Sequence, residues 1–131
     1  MGLIYLDTCL VIYLVEAHRD FGPKVAELVG DPDSSFAISP LVRMECLVGP
    51  LKNNNEPLLS RYETILGKFQ KLPVSEDAFV AAAHLRAEHG LRTPDALHLA
   101  VARTGGCVAF WTNDDRLAKA APGFAHDLRA L

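Results

Sequence analysis

The chain has 131 residues, 50% of them hydrophobic and 22% charged, a folded globular composition that excludes a disordered or low-complexity protein. Thirteen basic residues against 16 acidic ones give a formal net charge of −3, so no bulk positive field marks a nucleic-acid binder. Three cysteines (Cys9, Cys46, Cys107) lie in separate apolar runs with no Cys-x-x-Cys pair, which predicts reduced, buried thiols rather than a disulfide framework.

The elements follow in chain order. Leu3 to Leu6 reads as a buried strand ending at Asp7, with a helix from about Thr8 to His18. The apolar run Leu3 to Val15 is interrupted by Asp7 and has no basic segment before it, so neither a membrane span nor a signal peptide is expected; the reading is a soluble, cytoplasmic protein. Phe21 to Val29 is helical, and Phe36 to Ser39 forms a second strand. Pro40 opens a helix carrying Glu45, expected to stop at Gly49-Pro50. Asn53 to Asn55 is a loop, and Pro57 sits in the first turn of a helix running to about Gln70. Leu72-Pro73-Val74 reads as a short edge-like strand. Ser75 caps a helix to about His89, where Gly90 supplies a left-handed stop. Thr93-Pro94-Asp95 combines a hydroxyl cap, a proline at the first helical position and an acid in the first turn, opening a helix to Thr104. Cys107 to Trp111 is a buried strand, Thr112 to Asp115 opens a short helix ending at Pro122-Gly123, and Phe124 to Leu128 adds a last strand. Apolar strands alternating with amphipathic helices indicate an α/β fold with a central, mainly parallel sheet, spanning residues 1–131 as one domain.

Four acids fall at similar places in this scheme. Asp7 ends one apolar strand and Asp114 stands just past another; Asp95 lies in the first turn of a helix, and Glu45 interrupts the apolar segment Leu41 to Val48. In an open parallel sheet, ligands bind beyond the carboxyl ends of the strands, where these acids can converge. Crowded carboxylates repel and raise one another's pKa, which a divalent cation relieves; an all-oxygen donor set favours Mg²⁺ or Mn²⁺ over Zn²⁺. Such ions near a phosphodiester activate water and stabilise the leaving oxygen. Each acid also has a plainer reading: Asp7 and Asp114 as caps or strand-end residues, Asp95 as a helix-dipole partner, Glu45 as part of an exposed stripe. Setting the four aside leaves 12 acids against 13 bases, a neutral body that neither favours nor excludes RNA.

The segments Leu3-Ile4-Tyr5-Leu6-Asp7-Thr8, Ile38-Ser39-Pro40 with Glu45 following, Leu91 to Ala100 around Thr93-Pro94-Asp95, and Phe110-Trp111-Thr112-Asn113-Asp114 together resemble the PIN domain. The resemblance is closest to VapC-type toxins of bacterial toxin–antitoxin pairs and covers essentially the whole chain. It implies a PIN-like three-layer α/β/α sandwich and a Mg²⁺- or Mn²⁺-dependent ribonuclease, with Asp7, Glu45, Asp95 and Asp114 as the acidic positions within reach of a common ion. Thr8, Ser39, Thr112 and Asn113 match polar positions that line such sites. The resemblance further implies cleavage leaving a 5′-phosphate and a 3′-hydroxyl, a cognate VapB-like antitoxin, a homodimer, and RNA, transfer RNA among the candidates, as substrate. Cys9 departs from the small polar residue common two positions after the first acid.

Arg43, Arg86, Arg92 and Arg116 stand near the four acids in sequence and are candidate phosphate contacts, although ordinary solvated or ion-paired arginines fit as well. His98, three residues after Asp95, is expected as a packing or supporting residue; His84 and His89 miss the spacing of a helical metal pair. Two other functions are consistent with parts of the pattern. A haloacid-dehalogenase-type phosphatase also has an Asp after its first strand but needs a second Asp at the position of Cys9. A catalytically silent PIN-like binding or scaffold module would be expected to lose acids that this chain retains.

Overall fold

The computed structural model describes residues 2–131. Leu3–Leu6 (β1) is the middle strand of a five-stranded parallel sheet that also contains Ser35–Ile38 (β2), Gln70–Lys71 (β3), Ala109–Thr112 (β4) and Ala125–Asp127 (β5), in the order β3-β2-β1-β4-β5. The helices are Thr8–Val15 (α1), Gly22–Val29 (α2), Pro40–Lys52 (α3), Glu56–Leu66 (α4), Glu76–His89 (α5), Thr93–Thr104 (α6) and Asp115–Ala120 (α7). The chain winds outward from β1 through β2 to β3, crosses back by α5 and α6 to β4, and continues by α7 to β5. Right-handed crossovers that reverse direction place their helices on opposite faces, and the result is the expected α/β/α sandwich. On one side α1 packs with α2, α3 and α4; on the other α5 packs against α6.

Strand periodicity decides which side chains meet beneath α6. Tyr5 pairs in register with Ala37 and Phe110, so residues 5 and 7 of β1 and its exit share a face with 37 and 39, and with 110 and 112. Tyr5 and Phe110 stack with ring centroids 5.4 Å apart and planes 8° from parallel. Both are fully buried, as are Leu99, Ala100 and Val101 of α6.

Several boundaries differ from the sequence expectation. Helix α1 ends at Val15 rather than His18 because Ala17 adopts φ 52° and the His18 amide closes back on the Tyr13 carbonyl at 2.9 Å, a Schellman closure. Helix α3 does not stop at Gly49-Pro50 but continues to Lys52. Pro50 forfeits one helical donor, yet Asn53 and Asn55 donate to the Gly49 and Pro50 carbonyls and close the end. Helix α4 ends at Leu66, four residues short of Gln70, which instead enters β3 opposite Ala37. The expected strand at Leu72-Pro73-Val74 is therefore displaced toward the N-terminus: Leu72 gives the last amide bond, to the Ile38 carbonyl, and Pro73 has none to give. In α6, Thr93 is the first helical residue rather than the cap; Arg92 holds the cap position without a side-chain bond.

Candidate active site

Asp7 and Asp114 flank the place where the winding reverses, between β1 and β4. In doubly wound sheets the crevice at such a switch is the ligand site. The Asp7 amide donates to the Trp111 carbonyl at 3.0 Å, so the exit of β1 is locked to β4. The Asp7 carboxylate caps α1, accepting from the Thr8 amide at 2.8 Å, and its other oxygen accepts from Thr112 Oγ1 at 2.7 Å. The same Thr112 oxygen accepts from the Asp114 amide at 3.0 Å, and Asp114 itself caps α7 by accepting from the Arg116 amide. Thr112 thus ties the two strand-end acids together.

Glu45 reaches the same place from α3. Its Oε1 accepts from Thr8 Oγ1 at 2.5 Å and from His98 Nε2 at 2.6 Å, and that nitrogen is 3.9 Å from Asp7 Oδ1. Asp95, in the first turn of α6, accepts from Arg92 Nε at 3.1 Å. Its charge lies close enough to Asp7 to act on that carboxyl.

Burial pushes the Asp7 carboxyl above the ordinary Asp range, and the Asp95 charge adds to the rise. His98 and the hydrogen bonds from Thr112 and Thr8 oppose it without cancelling it. Glu45 goes the other way. Burial raises it, but the hydrogen bonds from His98 and Thr8, with the charge of Arg92, outweigh burial and hold the carboxyl below its usual value. Cys9, in the first turn of α1, is pushed up to about 12 by burial and by Asp7, so its thiol stays protonated. All three cysteines are free, with Cys46 and Cys107 buried.

The four acids are brought to one end of the sheet but not into a cage. Among the described residues, no three His, Cys, Asp or Glu side chains are grouped so as to hold a metal ion. The sequence expectation of four carboxylates within reach of one ion is therefore not met by these side-chain positions. Each acid takes a nearer partner: Glu45 takes His98 and Thr8, Asp95 takes Arg92, and Asp114 turns toward Arg116 with 3.6 Å between the charged groups. The donor chemistry nevertheless fits a hard divalent cation. It consists of oxygens only, and the buried Asp7, raised further by Asp95, carries the kind of repulsion a cation relieves.

The supporting polar residues divide. Thr8 and Thr112 touch the acids directly, whereas Ser39 caps α3 and lies 2.7 Å from the Tyr5 hydroxyl. Asn113 donates to the Tyr13 hydroxyl at 2.7 Å, and its Oδ1 is buried without a partner. Of the arginines, Arg92 and Arg116 stand beside site acids, while Arg43 pairs with Glu63 at 2.7 Å and Arg86 donates to the Leu91 carbonyl, bracing the turn into α6. Sequence reasoning gave His98 only a supporting place and passed over Tyr5. The signals were Tyr5 two residues before Asp7 on a strand, and His98 one helical turn after Asp95.

The family model for the PIN domain matches residues 4–122. Among solved structures, a toxin–antitoxin complex from Klebsiella pneumoniae contains a chain 25% identical with TM-score 0.79, covering 95% of this chain and 97% of that one. The VapBC2 complex of Rickettsia felis bound to a promoter DNA fragment gives 21% identity and TM-score 0.76 over 95% and 98%. A Mycobacterium tuberculosis toxin, VapC20, described as cleaving the sarcin–ricin loop, gives 18% identity and TM-score 0.75 over 90% and 95%. No curated protein matches the chain in sequence.

Proposed function

The chain belongs to the PIN-domain family, and from that premise we propose that it is a Mg²⁺- or Mn²⁺-dependent endoribonuclease, the toxin of a toxin–antitoxin pair. The observation that carries the reading is the joining of Asp7, Thr8, Thr112, Asp114 and Glu45 at the switch point of the sheet. Asp7, Asp95 and Asp114 with Glu45 would hold the ion once Asp95 and Asp114 exchange their arginine partners for it. Bound there, a divalent ion supplies an activated water and stabilises the leaving oxygen of a phosphodiester. The residues of the chain do the rest. Thr112 and the Thr8 amide fix the rotamer of Asp7, and Thr8 Oγ1 fixes Glu45 beside it. Arg92 and Arg116, 69% and 68% exposed, are free to turn toward a phosphate when their carboxylates are taken up.

The partners follow the same premise. The solved relatives include VapBC complexes from Rickettsia felis and Salmonella typhimurium, which supports a cognate antitoxin of the VapB kind. Residues 1–131 act as one nuclease domain that pairs with a second copy. No helix among the described residues is long and apolar enough to cross a membrane.

Purified protein freed of any partner is expected to cleave RNA, transfer RNA among the substrates to try, only with Mg²⁺ or Mn²⁺. Chelation or Asp7→Asn should abolish cleavage, and undiminished cleavage by Asp7→Asn would sink the mechanism. Binding of RNA with no cleavage under any metal would favour a silent binding module instead.

A further inference from the structure

One titratable side chain at the site, His98, is enclosed more completely than any of the four acids. His98 is 2% exposed, lies in the middle of α6, and reaches across the sheet end to α3. Its Nε2 is 2.6 Å from Glu45 Oε1, its Nδ1 is 2.8 Å from the Tyr5 hydroxyl, and that hydroxyl is 2.7 Å from Ser39 Oγ. Glu45 Oε1 also accepts from Thr8 Oγ1 at 2.5 Å, and a carboxylate only accepts, so the proton of this contact sits on His98 Nε2. With Nδ1 accepting from Tyr5 and Tyr5 accepting from Ser39, every hydroxyl proton of the chain has a partner. Tyr5 is itself fixed: it is fully buried, a phenol keeps its proton at neutral pH, and Phe110 stacks on its ring. Glu45 projects from a helix with its side chain 30% exposed, so its place beside Asp7 depends on such a holder.

We propose that His98 is a positioning residue for Glu45: anchored through Nδ1 by Tyr5 of β1, it presents Nε2–H to the carboxylate and pins it beside Thr8 and Asp7. The line Ser39–Tyr5–His98–Glu45 runs from the cap of α3, through the central strand and α6, back to α3. It fixes the distance between the acid on that helix and the acid at the end of β1. A packing histidine would fill the same space without holding either end. The metal-binding consequence rests on the nuclease reading above; the hydrogen-bond line does not. Hydrogen bonds from partners of this kind typically govern metal affinity by about 10- to 100-fold.

The test uses the metal-free protein with ¹⁵N-labelled histidine, followed by calorimetric titration with Mn²⁺. In the wild type, one histidine ring Nε2–H is expected at low field and protected from solvent exchange. Glu45→Gln should move it upfield, and Tyr5→Phe, which keeps the ring on Phe110, should broaden it by freeing the imidazole. Mn²⁺ affinity should fall about 10-fold or more in His98→Ala and Tyr5→Phe, and recover in part in His98→Gln, whose amide can donate to Glu45. If His98→Ala does not fold, the Tyr5→Phe and His98→Gln pair decides. A ring proton that is absent, or that ignores Glu45→Gln, overturns the proposal, as does wild-type Mn²⁺ affinity in Tyr5→Phe. A wild-type protein that binds no Mn²⁺ refutes the metal reading, while the ring proton still decides the role of His98.

Discussion

Asp7 caps α1, accepts from Thr112 and stands at the switch point of the sheet, and burial holds its carboxyl above the ordinary Asp value. The raised pKa means that folding favours the protonated acid. That contribution is complete below the unfolded value and is lost as pH rises through the folded one, so ionised Asp7 weighs against the fold at neutral pH. Asp7→Asn, the substitution expected to abolish cleavage, should therefore raise the melting temperature of the metal-free protein at neutral pH by about 2–5 °C. The gain should disappear in scans near about pH 3, where the wild-type acid is protonated in both states. Glu45 has the opposite sign: its lowered pKa gives stability that is present above its unfolded value and lost as pH falls through the folded one. Three of the plainer readings of the acids hold. Asp7 and Asp114 do cap helices, and Asp95 does sit in a first turn. What was not legible at this scale is the Tyr5–His98 contact, made across 93 residues of chain, because nothing local in either segment encodes a partner that distant.

Helix α6 carries both Asp95 and His98, and its orientation is set by the joint with α5. Gly90 closes α5 at φ +65°, with the Arg86 carbonyl accepting its amide and open space where a Cβ would stand. The cost of a side chain there is conformational rather than steric. Gly90→Ala should lower stability by about 1 kcal/mol, seen as a drop of about 3 °C in a thermal melt, with Gly90→Asn milder. This joint was readable in advance, since Ser75 and Gly90 are strong local signals and both work as expected. The end of α1, the passage of α3 through Pro50 and the two-residue β3 were not. The first two are decided by local backbone closures that no strong residue signal marks, at Ala17 and at the tail of α3, and the third by the long-range register of Gln70 against Ala37.

At the scale of the whole molecule, strand order is what brings the scattered acids to one end of the sheet, and no residue pattern encodes that order. The order puts β1 in the centre, so its exit is enclosed from both sides. An apolar strip is left uncovered on α3. Met44, Val48 and Leu51 of α3 are more than half exposed and lie on one side of the helix. If the chain pairs with a second copy as proposed, this strip is the natural seam. Sedimentation should then show a dimer that Val48→Asp converts to monomer, with the melting temperature of the monomer little changed. The central position of β1 has another consequence. Trp111, the single tryptophan of the chain, lies beside Leu6 in the sheet, and its carbonyl receives the Asp7 amide. Its indole is half-buried against Phe36, one residue before the threonine that ties Asp7 to Asp114. The protein therefore carries its own optical reporter. A paramagnetic ion such as Mn²⁺ settling among the acids should quench the emission of this one indole, whereas diamagnetic Mg²⁺ should compete the quenching away, so occupancy can be read without any added label.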